Sequence, residues 1–303
     1  MNFELLKNLE VPSGKIDAII DTDTFNEVDD QFALAYMIKS NDKINLKAIY
    51  AAPFFNDNSS SAKDGMERSY EEIIKILDYM GKPELKSIVY KGAEQYLPDE
   101  NTAVESCAVD HLIELARQYS PEKPLYIVEI ATITNIASAV IKAPDIAPNI
   151  VIVWLGGHAL HIGDTFEFNM YQDIAAARVI FNCESPVIQV PCVGVVTHFA
   201  ISKPEFEYWF KGKNELCDFL VNRVCDAQSV FEGKPWSRVI WDVTAVAWLM
   251  NDNERFMRSE IISAPIPEYD FKYATGTKRK LIRYVTYINR DALLEDLINK
   301  LTE

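Results

Sequence analysis

Short apolar runs alternate with helical patterns along most of this chain, and that alternation limits the possible folds more than any other feature. Predicted strands are Ile16–Ile20, Leu46–Tyr50, Ser87–Tyr90, Leu125–Ile130, Val151–Leu155 and Val187–Val190. Predicted helices are Ala33–Ile38, 64–80, 103–119, 133–142, 172–182, Lys203–Phe210, Glu215–Gln228 and Trp241–Leu249. Strands and helices that alternate at this spacing predict an α/β fold, an open, mostly parallel twisted sheet with helices on both faces.

The last part of the chain departs from this alternation. Residues 258–290 predict a small β appendage, which a closing helix follows. Neither an internal repeat nor a linker divides the 303 residues, so we interpret 1–303 as a single domain. A chain of this length buries roughly 75% of the surface that its unfolded form exposes, so a metal site would be expected to serve function rather than folding.

The amino-acid composition of the chain disfavours several classes of binding partner. The chain has 30 basic and 45 acidic residues and a formal charge of −15, which disfavours binding to nucleic acid or anionic lipid. Its start lacks the pattern of a signal peptide, and no apolar run approaches ~18 residues, so we expect a cytoplasmic protein with no membrane partner. No cysteine pair has CxxC spacing, which favours free reduced thiols at all five: Cys107, Cys183, Cys192, Cys217 and Cys225.

An acidic cluster follows the first predicted strand. Asp21, Asp23, Glu27, Asp29 and Asp30 fall within ten residues, just before an apolar helix. Two such charges 4 Å apart repel by about 4 kcal/mol at an effective dielectric of 20, so the cluster needs either water or a cation. A solvated turn that caps the helix is one interpretation. The apolar sequence on both sides favours a buried site for a hard cation such as Ca²⁺ or Mg²⁺.

The cluster resembles the signature of the nucleoside hydrolase family, a strand that ends in DxDPGxDDA. Asp21-Thr22-Asp23 and Asp29-Asp30 match its two ends, with two extra residues in the turn and Thr24-Phe25 in place of Pro-Gly. The haloacid-dehalogenase phosphatase pattern, DxDxT, fits less well because Thr24 falls one residue early. That family also has a later Gly-Asp with a second Asp four residues on, whereas Phe168 stands four residues after Asp164.

Further motifs of the nucleoside hydrolase family appear in order between residues 16 and 250. Asn56 matches an Asn in the loop after the second strand, and Ile130–Asn135 matches the family's LGPLTN. Leu155-Gly156-Gly157 stands where the family has Met-Gly-Gly, and Glu167-Phe168-Asn169 matches its EFN. Finally, Trp241-Asp242 occupies the family's His-Asp position.

The resemblance implies hydrolysis of the N-glycosidic bond of ribonucleosides to free base and ribose, with calcium as cofactor. It implies a Ca²⁺ held by Asp23, Asp30, Asp242 and the carbonyl oxygen of Thr134. Asp23 would also accept the proton of the attacking water. Ribose contacts are implied for five residues, and Asp21 would orient the turn from behind. The implied ribose contacts are Asp29, Asn56, Glu167, Asn169 and Asp242.

The departures from the family concern the leaving base. Purine-specific members have a Trp before the last Asp, so Trp241 favours a purine nucleoside as the small-molecule substrate. Trp241 carries no acidic proton, and His161, which with His158 follows the Gly-Gly pair, is the candidate substitute acid. Gly92–Ser106 replaces the family's HGxDG loop. A second residue to stack on the base would be Phe25, Phe54, Phe55 or Tyr171.

Two expectations stay open at this stage. A non-catalytic ribose- or nucleoside-binding protein that keeps the calcium site is the alternative to an enzyme, because the family's acid is missing. Homo-oligomers are common in the family, so a dimer or tetramer is possible, although no residue pattern in this sequence indicates one.

Overall fold

The computed structural model describes residues 3–276 and 278–303. The strands are β1 Ile16–Thr22, β2 Ile44–Ala51, β3 Val89–Lys91, β4 Leu125–Glu129, β5 Ile150–Leu155, β6 Val187–Val190, β7 Ala200–Ser202, β8 Ser237–Val239, β9 Met257–Ser263, β10 Ile266–Pro267, β11 Tyr273–Ala274 and β12 Leu281–Ile288. The α-helices are α1 Phe3–Lys7, α2 Asp29–Lys39, α3 Ala62–Tyr79, α4 Cys107–Ala116, α5 Thr134–Lys142, α6 Phe168–Tyr171, α7 Ile174–Asn182, α8 Lys203–Trp209, α9 Glu215–Ala227, α10 Val243–Trp248 and α11 Arg290–Thr302.

Eight of the strands form one sheet in the order β3-β2-β1-β4-β5-β6-β12-β9. Neighbours are parallel throughout except at the edge, where β9 runs antiparallel to β12. This confirms the predicted α/β class with a mostly parallel sheet. The two remaining pairs, β10-β11 and β7-β8, are short antiparallel ribbons outside the main sheet.

The strand interiors are apolar on both sides because helices cover both faces of the sheet. In β1, Ala18 and Ile20 join the core on one face and Ile19 joins the core on the other. Continuous apolar runs of this kind are typical of parallel strands that are buried on both faces. Helix α2 has ten consecutive buried residues, Asp29–Ile38, so it lies inside the protein rather than on it.

The prediction of a small β appendage at 258–290 is wrong in its topology. Strands β9 and β12 extend the main sheet, where β12 pairs parallel with β6, and only β10 and β11 form a separate ribbon. The closing helix is confirmed as α11.

The strand order reverses direction between β1 and β4, since the chain adds β2 and β3 on one side and β4 to β6 on the other. In open parallel sheets such a switch point, at the carboxyl ends of the strands, is where loops diverge and ligands bind. None of the described helices is long and apolar enough to cross a bilayer.

Candidate active site

A pocket of about 200 Å³ opens at this switch point. Residues at or after the ends of five different strands line it, and six of the lining side chains are carboxylates, whereas no Lys or Arg is among the described lining residues. The lining residues are Asp23, Asn26, Glu27, Asp29, Asp30, Ile130, Leu155, His158, Phe166, Glu167, Phe168, Asn169, Cys192, Val193, Trp241 and Asp242.

The turn after β1 supplies the floor of the pocket. Asp23 lies just beyond the strand, and Asp29 and Asp30 are the first two residues of α2; all three are nearly fully buried. The hydroxyl of Thr22 donates to Asp30 Oδ1 at 2.5 Å. The N-cap of α2 is Val28, and no side chain caps the helix. The aspartates are therefore directed to the pocket rather than used as a solvated helix cap.

The segment before α10 lies against the first turn and also lines the pocket. Asp242 is buried, and its side chain does not cap α10. The backbone N–H of Trp241 donates to Asp29 Oδ2 at 3.0 Å, which joins this segment to the first turn. Arg238 in β8 pairs with Glu27, and its Nη2 lies 3.8 Å from Asp29 Oδ1. One cation outside the pocket therefore offsets part of the negative charge.

Burial and mutual repulsion disfavour ionisation of all the pocket aspartates at once. Burial, and then the neighbouring Asp30 carboxylate, raises the pKa of Asp23 well above its usual range. Burial and the nearby Asp29 do the same to the pKa of Asp242. Burial, with Asp29 beside it, raises the pKa of Asp30 to about 7. A divalent ion among these groups would reverse the shifts, because it favours the charged form.

The donor set fits a hard cation. One carboxylate oxygen from each of Asp29, Asp30 and Asp242 lies within 4.8 Å of the others. Asp23 Oδ2 and Asp29 Oδ1 are buried and lack a hydrogen-bond partner in the described part of the chain. Clustered, buried carboxylate oxygens are the kind of ligand that Ca²⁺ prefers.

Glu167 and Asn169 stand at the start of α6 and line the pocket. Glu167 accepts from the backbone N–H groups of Gly157, Asn169 and Met170, so its carboxylate is fixed in place. The Asn169 amide donates to the carbonyl oxygens of Ile130 and Leu155 at 3.2 and 3.0 Å. Its oxygen is thereby held toward the pocket that the residue lines.

The structure does not bring Asn56 to the pocket. Asn56 Nδ2 instead donates to Asn26 Oδ1 at 2.5 Å, and Asn26 is the amide that lines the pocket. Asn26 lies in the two-residue expansion of the first turn, and Asn58 Nδ2 fixes its carbonyl oxygen at 2.8 Å. Asn56 therefore positions Asn26, and Asn26 occupies the place in the pocket that the sequence predicted for Asn56. A polar side chain inside an inserted acidic turn was the available sequence signal for Asn26.

Thr134 also lies outside the pocket lining. Its hydroxyl donates to Asp173 Oδ2 at 2.7 Å, and Asp173 in turn caps α7 through the N–H of Ala176. The pocket-lining residue that follows β4 is Ile130, four residues earlier. A backbone oxygen leaves no trace in side-chain chemistry, so the residues alone could not identify Ile130.

The histidines and aromatic residues are placed differently from expectation. His161 is exposed in a short 3₁₀ turn, Leu160–Ile162, and does not line the pocket, whereas His158 does. The four candidate stacking residues are absent from the described lining too, and Phe166 and Phe168 take that place. The rings of Phe166 and Tyr171 are stacked with their centroids 4.6 Å apart. Tyr171, one of the four candidates, therefore contacts a lining residue without lining the pocket itself.

A second pair of carboxyl groups lies behind the pocket. Asp21 and Glu129 are opposite each other in the β1–β4 register, and both are fully buried. Asn135 donates to Asp21 Oδ1 at 3.0 Å, while Asp21 Oδ2 and Glu129 Oε2 lack described partners. Burial raises the pKa of Asp21 to about 7, and burial with the Asp21 charge raises that of Glu129 well above its usual range. A proton on this pair would satisfy both orphaned oxygens.

The family model described as inosine-uridine preferring nucleoside hydrolase matches residues 18–279. The chain belongs to this family. The match covers both the first acidic turn and Trp241-Asp242, so the nucleoside hydrolase motifs and the pocket geometry concern the same residues.

Curated relatives and solved structures agree with the family. The pyrimidine-specific ribonucleoside hydrolase RihA of Citrobacter koseri is 27% identical over 201 residues, which is 60% of this chain and 62% of that protein. A plant nucleoside hydrolase has a TM-score of 0.76 at 17% identity, with 96% of this chain and 99% of that chain covered. The purine-preferring ribonucleoside hydrolase from Gardnerella vaginalis has a TM-score of 0.69 at 21% identity, covering 94% and 98%. These structural likenesses show the nucleoside hydrolase fold.

Proposed function

We propose that this protein hydrolyses the N-glycosidic bond of ribonucleosides to free base and ribose, with Ca²⁺ as cofactor. The observation that carries the proposal is the convergence of three buried carboxylates within 4.8 Å in a pocket that Asp23 also lines. Membership of the nucleoside hydrolase family supports the same reaction.

The proposed cation ligands are Asp23, Asp30 and Asp242 together with a backbone carbonyl oxygen. The carboxylate oxygens that lie within 4.8 Å of one another are those of Asp29, Asp30 and Asp242, so Asp29 is a further candidate ligand beside its proposed contact with ribose. Thr134 was the expected source of that oxygen, but Ile130 is the better candidate because it lines the pocket. Bound Ca²⁺ would supply positive charge that makes a water molecule more acidic and holds the ribose 2′- and 3′-hydroxyls.

The residues of the chain account for the remaining steps. Asp23, with one unpaired buried oxygen, accepts the proton of the attacking water. Asp29 and Asn169 bind ribose hydroxyls, and Asn26 takes the part expected of Asn56. The transition state resembles an oxocarbenium ion, and the surrounding carboxylates stabilise its positive charge. Glu167, whose oxygens each accept backbone N–H groups, holds the sugar-binding loop in place.

Trp241 is proposed to stack on the base and favour purines. It lines the pocket, and its backbone N–H is bonded to Asp29, the proposed ribose contact, so the residue lies next to the proposed ribose site. Stacking on an aromatic ring is worth about 1–3 kcal/mol per base. The relatives do not agree on a base, since the curated ones are named pyrimidine-specific and one solved neighbour is an inosine-guanosine nucleoside hydrolase. Purine preference is therefore the part of the proposal that most needs measurement.

The test is release of reducing sugar from inosine, guanosine, adenosine, uridine and cytidine by the calcium-loaded protein. We expect turnover of purines ahead of pyrimidines, and a loss of about tenfold or more in purine kcat/KM on Trp241→Ala. Calcium and ribose binding without release of sugar from any nucleoside would instead favour the non-catalytic binding protein. Faster turnover of uridine would contradict the purine preference and leave the reaction class intact.

The remaining expectations concern the whole protein. A dimer or tetramer and a cytoplasmic location are still predictions from the sequence.

A further inference from the structure

The segment Gly92–Ser106, which stands in place of the family's HGxDG loop, does not itself reach the pocket. None of its residues is among the described lining residues. The hydroxyl of Tyr96 instead donates to Gln172 Oε1, and the backbone N–H of Leu97 donates to Asp173 Oδ2 at 2.9 Å. Gln172 and Asp173 directly follow α6, whose first residues line the pocket. The replacement segment is therefore bonded to the end of a helix that forms part of the pocket.

Gln172 also binds the loop that follows β2. The backbone N–H of Phe55 in that loop donates to Gln172 Oε1 at 2.8 Å. The same oxygen therefore accepts from two loops, one after β2 and one after β3. An amide oxygen has two lone pairs, so Gln172 can accept both hydrogen bonds at once.

Helix α6 is too short to hold its own position. It has four residues, Phe168–Tyr171, and an isolated helix of this length is not stable in water. At its start, Glu167 accepts from the backbone N–H of Asn169 at 3.0 Å. At its end, Gln172 makes the contacts to the two loops, and its Nε2 donates to the carbonyl oxygen of Phe168 at 3.4 Å. The placement of Phe168 and Asn169 in the pocket therefore depends on an anchor at each end of α6.

We propose that Gln172 is a positioning residue for the pocket face of α6, and that Tyr96 acts on substrate binding through Gln172. The proposal rests on the ribonucleoside hydrolase function proposed above, in which Asn169 contacts the substrate. It gives the replacement segment a part in substrate binding without any contact with the substrate. Asp23, the proposed base, lies in the turn after β1 and not on α6, so the effect should fall on KM rather than on kcat.

The experiment measures kcat and KM in Tyr96→Phe, Gln172→Met and the double variant, for the nucleoside that wild type hydrolyses fastest. Gln172→Met keeps a side chain of similar length but removes the oxygen that accepts both hydrogen bonds. We expect KM to rise about tenfold, with kcat within about threefold of wild type. Tyr96→Phe removes one of the two hydrogen bonds and should raise KM about threefold. Because Tyr96 acts through Gln172, the double variant should have the KM of Gln172→Met alone.

Two further variants separate positioning from a general effect on folding. Gln172→Glu keeps an acceptor oxygen for both donors, so its KM should stay within about threefold of wild type. Gln95→Met changes an exposed glutamine next to Tyr96 in the same segment and is the matched control, which should have the wild-type KM. All variants are compared at a temperature well below their Tm.

Two results would overturn the assignment. Multiplying increases of KM in the double variant would show that Tyr96 does not act through Gln172. An equal loss in Gln172→Glu and Gln172→Met would show that the accepted hydrogen bonds do not matter. If wild type releases sugar from no nucleoside, the proposed function fails separately. Hydrogen exchange still tests the anchor, because the amides of Phe168–Tyr171 should exchange faster in Gln172→Met and Tyr96→Phe than in Gln95→Met.

Discussion

The pocket aspartates and the Asp21–Glu129 pair are both buried carboxyl groups, and they lie within a few residues of each other. Asp21 and Asp23 belong to the same DxD sequence, yet Asp21, within β1, is fully buried and absent from the described pocket lining, whereas Asp23 lines the pocket. The inner pair has an asparagine amide and a backbone N–H as donors, and a proton suffices to satisfy it. The pocket group has more charge than its donors can offset. Burial alone therefore does not identify a catalytic carboxylate. The distinguishing feature is that several carboxylates line one pocket that is large enough for a ligand.

The sharpest test of this difference is activity. Asp23→Asn should lower kcat by about 10³-fold with a smaller change in KM, because it removes the base and a cation ligand together. Asp21→Asn should keep kcat within about tenfold, since Asp21 does not line the pocket. Steady-state release of reducing sugar measures both. Equal inactivation by the two substitutions, in proteins of equal Tm, would remove the distinction.

The effect of calcium on stability is a second, smaller difference expected between the pocket aspartates and the Asp21–Glu129 pair. Ca²⁺ at 100 times its Kd should stabilise wild type by about 2.7 kcal/mol over the chelated protein. Most of that gain should be absent in Asp242→Asn, which removes a proposed ligand, and present in Glu129→Gln, which changes only the inner pair. Thermal unfolding at a series of calcium concentrations measures this stabilisation in each variant. A Glu129→Gln variant that no longer responds to calcium would show that the inner pair belongs to the cation site.

The smallest expected effect is on the pH dependence of stability. The pKa of Asp21 and of Asp30 is about 7 in the folded protein, above the value of about 3.9 in the unfolded chain. Between these limits the folded state binds more protons, so the chelated protein should lose stability as pH rises from about 4 to 7.

Substitution at the inner pair should flatten this slope. Asp21→Asn removes one of the groups, and at pH 8 we expect it to be about 1–2 kcal/mol more stable than wild type in chelator. Ligand carboxylates must be deprotonated, so calcium should reverse the contribution of Asp30 to the pH dependence of stability. The contribution of Asp21 should stay unchanged. Urea unfolding at pH 5 and pH 8 measures these slopes. An unchanged slope in Asp21→Asn would show that Asp21 does not carry the proton.

Seven of the residues that the sequence singled out line the pocket: Asp23, Asp29, Asp30, Glu167, Asn169, Trp241 and Asp242. Asp23, Asp30, Trp241 and Asp242 adjoin a buried strand or helix, so their place at the sheet edge depends little on loop shape. Asn56 was predicted to line the pocket, but the expanded turn brings Asn26 between Asn56 and the pocket.

Two further placements depend on chain geometry beyond the local residue pattern. His158 lines the pocket, whereas His161, three residues later in an exposed 3₁₀ turn, does not, and its proposed role as an acid stays a prediction. For β9 and β12, membership of the main sheet depends on pairing with distant strands, which local residue patterns do not encode.

Helix α2 has a consequence for how the molecule opens. Its residues are interior from Asp29 to Ile38, and it packs against α10, which Asp242 precedes. An ion held by these aspartates would join the first turns of two interior helices. Amide protons in such helices exchange with deuterium only when a large cooperative unit unfolds. The slowest-exchanging amides should then lie in α2 and α10, and their exchange rates would respond to an ion bound at the helix ends, several turns away from many of them.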